Sequence, residues 1–182
     1  MNEGQAGSDP SARRTRLRAY QEQLLERMQA AKSGSGAPIQ QLGMQVGAGR
    51  YLLDLLEAGE IVSLATPTPV PLTLPWYLGL ANVRGTLVGV IDLARYLGED
   101  APLPSGPAAR MITFAPPLGF NCALLADRVY GLRQASAMTR EGDALRDAEG
   151  TLWTPLSLAA LVREERFLHV ARATGSTTQP PR

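Results

Sequence analysis

Residues 39–55 read IQQLGMQVGAGRYLLDL, and this stretch decides the fold class that we predict. Leu42, Met44 and Val46 alternate with polar or small residues, which is the period of a strand with one buried face. A Gly-Ala-Gly turn at residues 47–49 separates this strand from a second apolar run. The stretch therefore predicts a β-hairpin.

Similar short apolar runs recur along the chain, and the helical segments between them are brief. The predicted strands cover residues 60–64, 87–91, 111–114, 120–129 and 151–154, and the predicted helices cover 93–97 and the turn capped by Ser157. We expect loops at the proline-rich residues 66–75, at a hinge over 101–107 and at the polar residues 139–150. This pattern predicts an all-β protein with one subdomain on each side of the hinge.

The chain divides into three parts by composition. Residues 1–36 form a flexible N-terminal segment, and an amphipathic helix is predicted at about 13–32. Residues 37–172 hold the two subdomains, and residues 173–182 are predicted to be a disordered tail. The N-terminal helix is interpreted either as a solvated helix or as a surface for self-association or partner binding.

Composition excludes several classes of protein. The 182 residues carry 18 Lys+Arg, 17 Asp+Glu, one Cys and one His, too few Cys and His for a structural zinc site or a disulfide framework. No apolar run reaches the ~18 residues of a membrane span, and no signal-peptide pattern opens the chain, so we expect a cytoplasmic protein without membrane insertion. The N-terminal segment carries a net +2 and residues 39–172 carry a net −2, which argues against nucleic acid as a partner.

The sequence offers no catalytic constellation. His169 is interpreted as structural or exposed, and Cys122 as a buried, inert thiol without a basic neighbour. The acidic residues between 141 and 149 lack the order of an EF-hand loop. We therefore predict no catalytic residue, no metal and no cofactor.

Arg84 is the one charged residue placed conspicuously between apolar segments. It follows Asn82 and directly precedes the predicted buried strand 87–91. Its guanidinium fork suits a carboxylate, and Glu60 at the start of an earlier strand is the candidate. The residues leave two interpretations open, an ion pair with Glu60 or an arginine that reaches solvent from a strand end.

Several motifs stand in an order that is specific when taken together. They are Arg50-Tyr51, Glu60-Ile61, Pro69-Val70-Pro71, Asn82-Val83-Arg84-Gly85, Val90-Ile91-Asp92-Leu93 and Ala126-Asp127-Arg128-Val129, followed by a closing helix at 156–162. Over residues 39–162 this order resembles the CheW-like family of chemotaxis coupling proteins. Residues 76–79 and 146–150 resemble the members that serve type IV pilus (twitching motility) chemosensory systems.

The resemblance implies a fold and a function. It implies two five-stranded β-barrel subdomains in a non-enzymatic adaptor, which joins a CheA-type histidine kinase to the cytoplasmic tip of a methyl-accepting chemoreceptor, within a receptor array. Glu60 and Arg84 would form an ion pair on the receptor-facing surface, with Asn82 beside them and Gly85 in a tight turn.

The resemblance also implies roles for apolar residues. Ile61, Val62 and Leu80 would contact the kinase, while Leu87, Val90 and Ile91 would lie in the core. The family has a strand within the polar stretch 131–151, so a loop there predicts an incomplete second barrel.

Two other classes of function stay open from the residues alone. One is a small-molecule-binding or enzymatic β-barrel that uses a cleft between the subdomains. The other is a nucleic-acid-binding barrel, which the net charge of −2 over residues 39–172 disfavours.

Overall fold

The computed structural model describes residues 40–171, and their strands form two sheets. The strands are β1 (Gln40–Val46), β2 (Gly49–Asp54), β3 (Ala58–Ser63), β4 (Tyr77–Val83), β5 (Thr86–Ile91), β6 (Arg110–Phe114), β7 (Cys122–Ala126), β8 (Arg128–Gln134), β9 (Thr139–Glu141), β10 (Ala144–Arg146) and β11 (Leu152–Leu156). The short helices are α1 (Leu93–Tyr96), α2 (Leu158–Leu161) and α3 (Glu165–Leu168). The predicted N-terminal helix and C-terminal tail lie outside the described residues.

The first sheet has six strands in the order β8-β1-β2-β11-β10-β9. The predicted hairpin of β1 and β2 is confirmed, with Val46 opposite Gly49 at its turn. Residues 139–150, predicted to be a loop, instead contain the hairpin of β9 and β10. The loop prediction is wrong, and so is the expectation of a missing strand. Strand β9 is exposed along its whole length and β10 is only half-buried, so neither carries the alternation that marks a strand in sequence.

The second sheet has five strands in the order β3-β6-β7-β5-β4. Strands β4 and β5 form a hairpin, whereas β5 and β7 pair in parallel. The predicted single strand over 120–129 is two strands, because the chain passes from one sheet to the other at Asp127. The Asp127 amide donates to the carbonyl of Gln45, and its carboxylate accepts from the amide of Gly47.

The prediction of one subdomain on each side of the 101–107 hinge is wrong. Each sheet takes strands from both sides of that hinge, and the parallel pairs β2–β11 and β5–β7 join the two halves. A run of proline and glycine marks an irregular connection, but it does not say which strands pair across it. Within residues 40–171 the two sheets contain six and five strands, and neither sheet closes into a barrel. The prediction of a mostly β fold in two parts is therefore confirmed, whereas the prediction of two five-stranded barrels is wrong.

The main hydrophobic core draws residues from both sheets, including Met44 and Leu53 from the first and Ile112 and Leu124 from the second. A smaller cluster on the other face of the second sheet includes Val88, Val90 and Met111. Strand β7 alternates between them, which is why its sequence is apolar throughout.

The expected core positions on β5 are right for Val90 and Ile91 and wrong for Leu87. Val90 and Ile91 are buried, but Leu87 is 61% exposed. Leu87 lies next to the β4–β5 turn, opposite Asn82, at the end of the sheet.

The first two short helices begin at side-chain caps, and all three helices place at least one residue in the core. Asp92 caps α1 by accepting from the amide of Arg95, and the predicted cap Ser157 accepts from the amide of Ala160 in α2. Burial raises the pKa of the Asp92 carboxyl, although Arg95 Nε lies 3.2 Å from its Oδ2. In the part of the chain that the structure describes, no helix has the length and apolar character needed to cross a membrane.

Candidate functional site

Glu60 lies on β3, at an edge of the second sheet, where a bulge sets its direction. The pairing of β3 with β6 shifts register between Ala58 and Ile61. The Glu60 amide donates to Thr113 Oγ1 at 2.7 Å, which fixes the bulge. A Cβ on Gly59 would lie 2.5 Å from that same oxygen, so this position requires glycine. A bulge of this kind re-aims the side chain that it carries.

Arg84 lies in the turn between β4 and β5. The turn residues Arg84 (φ 50°) and Gly85 (φ 88°) both have positive φ, as the two central residues of a tight type I′ hairpin turn do. The amide of Gly85 donates to Asn82 Oδ1 at 2.8 Å. Asn82 thus supports the turn itself, and Gly85 occupies the tight turn expected for it.

The structure brings Glu60 and Arg84 together. Arg84 Nε lies 3.0 Å from Glu60 Oε2, although β3 and β4 are the two outer strands of their sheet. The sheet therefore curls until its edges approach each other. The two side chains are 53% and 76% exposed, and an ion pair this exposed contributes about 0–1 kcal/mol to stability. The pair therefore adds little to the stability of the fold.

A groove of about 390 Å³ runs between these two edges. Ile61 and Val62 line it on the β3 side, and Asn82 and Arg84 line it on the β4 side. Ile61 is 44% exposed and Val62 is half-buried against the smaller cluster. Leu80 does not line this groove. Its backbone pairs with Thr68 through two hydrogen bonds of 2.8 and 2.9 Å, which cover that part of the β4 edge.

Leu87 is an exposed apolar residue that the sequence reasoning missed. It pairs with Asn82 across the β4–β5 hairpin, so the two side chains lie on the same face of the sheet. Ile61 pairs with Ile112 of the main core and therefore belongs to that face as well. The exposure of Leu87 could have been predicted from its position. Leu87 is the second residue after Gly85, and the first residues of a strand after a tight turn often extend past the core.

The residues considered for catalysis lie apart from this groove. Burial raises the pKa of the Cys122 thiol to about 11, which fits the prediction of an inert thiol, although Cys122 is only partly buried. His169 is exposed, and its Nδ1 lies 2.8 Å from the carbonyl of Glu165. Among residues 40–171, no group of three or more His, Cys, Asp or Glu side chains could hold a metal ion.

A second cavity, of about 430 Å³, bears on the small-molecule alternative. Leu64, Leu78, Leu103 and Leu125 line it together with prolines, and Thr66 supplies the one polar side chain of this lining. Small-molecule sites orient their ligands with several convergent polar groups. This cavity therefore gives no support to an enzymatic or small-molecule function.

Three comparisons relate the chain to known proteins. The family model described as "CheW-like domain" matches residues 40–166. Protein PilI of Pseudomonas aeruginosa is 27% identical over 157 residues, which span 79% of this chain and 83% of that protein. The crystal structure of the scaffolding protein TtCheW from Thermoanaerobacter tengcongensis superposes with a TM-score of 0.60 at 19% identity. That match covers 71% of this chain and 96% of the other, and it shows the similarity of the fold.

Proposed function

Because the chain belongs to the CheW-like family of coupling scaffolds, we propose that it joins a CheA-type histidine kinase to the cytoplasmic tip of a methyl-accepting chemoreceptor. Family membership also means that the chain is not an enzyme. The observation that carries the proposal is the exposed Glu60–Arg84 ion pair of 3.0 Å, set between the two edges of the curled sheet.

The surroundings of the ion pair suit a protein partner. Ile61 and Leu87 are 44% and 61% exposed on the same face of the sheet. Ile61 directly follows Glu60, and Leu87 pairs with Asn82 beside the turn that carries Arg84. Exposed apolar side chains rimmed by charge are typical of protein interfaces. We assign this apolar and charged surface to the kinase or the receptor, with Ile61 and Leu87 as anchors and Val62 as support from within the sheet.

A type IV pilus pathway is the output that we propose. The resemblance of residues 76–79 and 146–150 to the pilus members of the family supports it, and so does the 27% identity with PilI. We expect the chain to act in the cytoplasm at chemoreceptor arrays. Self-association through the predicted helix at about 13–32 stays a separate prediction.

A charge-swap series tests the role of the ion pair. Binding of the purified full-length chain to a CheA-type kinase and, separately, to a chemoreceptor tip is measured by biolayer interferometry for Glu60→Arg, Arg84→Glu and the double variant. Each single variant places two like charges together and is expected to weaken binding about tenfold or more. Arg163→Glu, an exposed arginine on another part of the chain, is the matched control and should bind as the unaltered chain does.

The double variant separates two ways in which the pair could act. If the pair mainly sets the distance between the sheet edges, the double variant regains most of the binding, because the ion pair is restored. If either side chain touches the kinase, the double variant stays weak. Unchanged binding to both partners in all three variants would contradict the proposed surface, and failure of the unaltered chain to bind either partner would contradict the coupling role.

A further inference from the structure

The six-stranded sheet carries an aromatic and basic cluster on the face that points away from the main core. Tyr51 faces the core and pairs with Thr154, so the adjacent Trp153 faces the other side. Trp153 is 1% exposed. Arg50 Cζ lies 5.8 Å from the centre of its ring, and Arg133 Cζ lies 5.3 Å from it. We call Arg50, Arg133, Trp153 and Tyr130 the arginine–tryptophan cluster.

The aromatic part of the cluster is held firmly in place. Trp153 Nε1 donates to Asp147 Oδ2 at 2.7 Å, and Asp147 Oδ1 accepts from the amide of Thr151 at 2.7 Å. The ring of Tyr130 meets the indole edge-on at 5.7 Å, and its hydroxyl donates to Gln45 Oε1 at 2.8 Å. These contacts also give Asp147 a structural role. In the sequence, Asp147 stood out only as part of the stretch 146–150.

Gly43 lies directly beneath the cluster and leaves room for its side chains. A Cβ there would lie 3.0 Å from the Trp153 ring and 3.0 Å from Arg133 Cγ. The backbone of β1 thus lets the indole and the arginine stem sit against the sheet. Arg50 stacks on Tyr130 as well, with its Cζ 5.0 Å from the ring centre. Both guanidinium groups are therefore oriented by aromatic rings.

Neither arginine forms a salt bridge with a neighbouring acid, although the charge of Arg133 acts on Asp147 and helps to lower the pKa of its carboxyl. In the part of the chain that the structure describes, no carboxylate oxygen lies within 4.0 Å of Arg50 or Arg133, whereas Arg84, Arg95 and Arg146 each have one. Arg50 donates only a long 3.4 Å bond to Thr151 Oγ1. Arg133 Nε is buried and has no hydrogen-bond partner among the described residues. Two cations on one indole with free donors favour an anionic partner.

We propose that the arginine–tryptophan cluster binds carboxylate side chains in an acidic segment of a protein partner. Planar guanidinium groups that are already oriented match the two oxygens of a carboxylate. Nucleic acid is disfavoured, because its single strands bind by stacking bases on open aromatic faces, whereas Trp153 is only 1% exposed beneath the two arginines. This inference does not rest on the proposed coupling role.

A peptide titration followed by NMR tests the inference. The ¹⁵N-labelled full-length chain is titrated with a pentaglutamate peptide and, separately, with a pentaglutamine peptide. We expect pentaglutamate to shift the indole N–H signal of Trp153 saturably and to do so less at high salt. The indole signal of Trp76, which is buried in the main core, is the internal reference and should stay in place.

Variants connect the shift to the two arginines. Arg50→Ala and Arg133→Ala are each expected to weaken pentaglutamate binding about tenfold. Arg163→Ala removes an exposed arginine outside the six-stranded sheet and is the control with unchanged affinity. If an alanine variant does not fold, the corresponding lysine variant replaces it, because it keeps the aliphatic stem and loses the planar fork.

Four results would overturn the inference. They are no shift at Trp153, an equal shift with pentaglutamine, an equal loss of affinity in Arg163→Ala, and tighter binding of a thymidine oligonucleotide than of pentaglutamate. The last result would assign the cluster to nucleic acid.

Discussion

At the scale of single residues, Arg84 combines a strained backbone conformation with an exposed ion pair. Its φ of 50° lies in the left-handed region, which a non-glycine residue adopts at a cost of about 1–3 kcal/mol. Its exposed ion pair contributes only about 0–1 kcal/mol. The conformational cost equals or exceeds the gain from the ion pair, so Arg84 gives the turn no net stability. We therefore expect replacement of Arg84 to weaken binding while leaving the free energy of unfolding nearly unchanged.

Glycine at position 84 should separate the two effects. Arg84→Gly removes both the ion pair and the strain, and glycine adds entropy to the unfolded chain. We expect the free energy of unfolding, measured by urea denaturation, to change by less than about 1 kcal/mol. Binding to the kinase should fall about tenfold. A loss of more than about 2 kcal/mol would show that the ion pair is mainly structural.

Asp147 should make stability depend on pH. The hydrogen bond from Trp153 lowers the pKa of the Asp147 carboxyl, so its stabilising contribution is present above the unfolded pKa of about 3.9. That contribution is lost as the pH falls through the lower folded pKa. We expect Asp147→Asn to lower Tm at pH 7, and the difference from the unaltered chain to shrink as the pH falls below about 3.9. A difference that stays constant in circular dichroism melts over this range would contradict this, and Asp143→Asn is the exposed control.

The Glu60–Arg84 pairing could be anticipated from sequence, but its geometry could not. An arginine between apolar segments needs an acidic partner or solvent, and Glu60 was the evident candidate. The left-handed turn, the bulge at Gly59 and the exposure of Leu87 depend on where the sheet ends. The arginine–tryptophan cluster was missed because Arg50, Arg133 and Trp153 lie on three strands that are distant in sequence.

At the scale of elements, strands with a buried face were predictable and those without one were not. Strands β1 and β2 alternate in sequence because one face packs in the core, whereas β9 and β10 have no buried residue. The helix caps at Asp92 and Ser157 follow local chemistry, and Ser157 was recognised from the sequence as a helix cap. No local sequence pattern indicates that the chain passes from one sheet to the other at Asp127.

The β4 edge gives a prediction at this scale. Gly79 has a φ of 129°, and a Cβ there would lie 2.0 Å from the carbonyl oxygen of Thr68. Gly79→Ala should therefore push the proline-rich loop off β4 and lower the free energy of unfolding by about 3 kcal/mol or more. The matched variant is Gly85→Ala, where φ is also positive but a Cβ meets open space, and it should cost about 1 kcal/mol. Equal costs in urea denaturation would contradict the steric explanation.

At the scale of the whole molecule, strand order is set by pairings between distant segments. The parallel pairs β2–β11 and β5–β7 close the two sheets around one main core. Composition and periodicity do not encode such pairings, so the residues alone led to the wrong division at 101–107. The resemblance to the CheW-like family predicted the two-part β architecture that local patterns could only suggest.

Phe167 links the C-terminal helices to this core. It is 4% exposed and contacts the rings of Trp76, Tyr96, Phe114 and Phe120 at centroid distances of 5.7–6.4 Å. Phe167→Ala should lower the free energy of unfolding by about 3–5 kcal/mol. Leu168→Ala, at the adjacent 52% exposed position, should change it by less than about 1 kcal/mol. Similar losses in the two variants would contradict the assignment of Phe167 to the core.

The coupling role is tested most directly by retention of a CheA-type kinase on an immobilised chemoreceptor tip, with and without the full-length chain. We predict that the kinase is retained when the chain is present and is largely lost when the chain is omitted or replaced by folded Arg84→Glu. Kinase retention that does not change on adding the chain, or failure of the chain itself to bind either component, would contradict the proposed function.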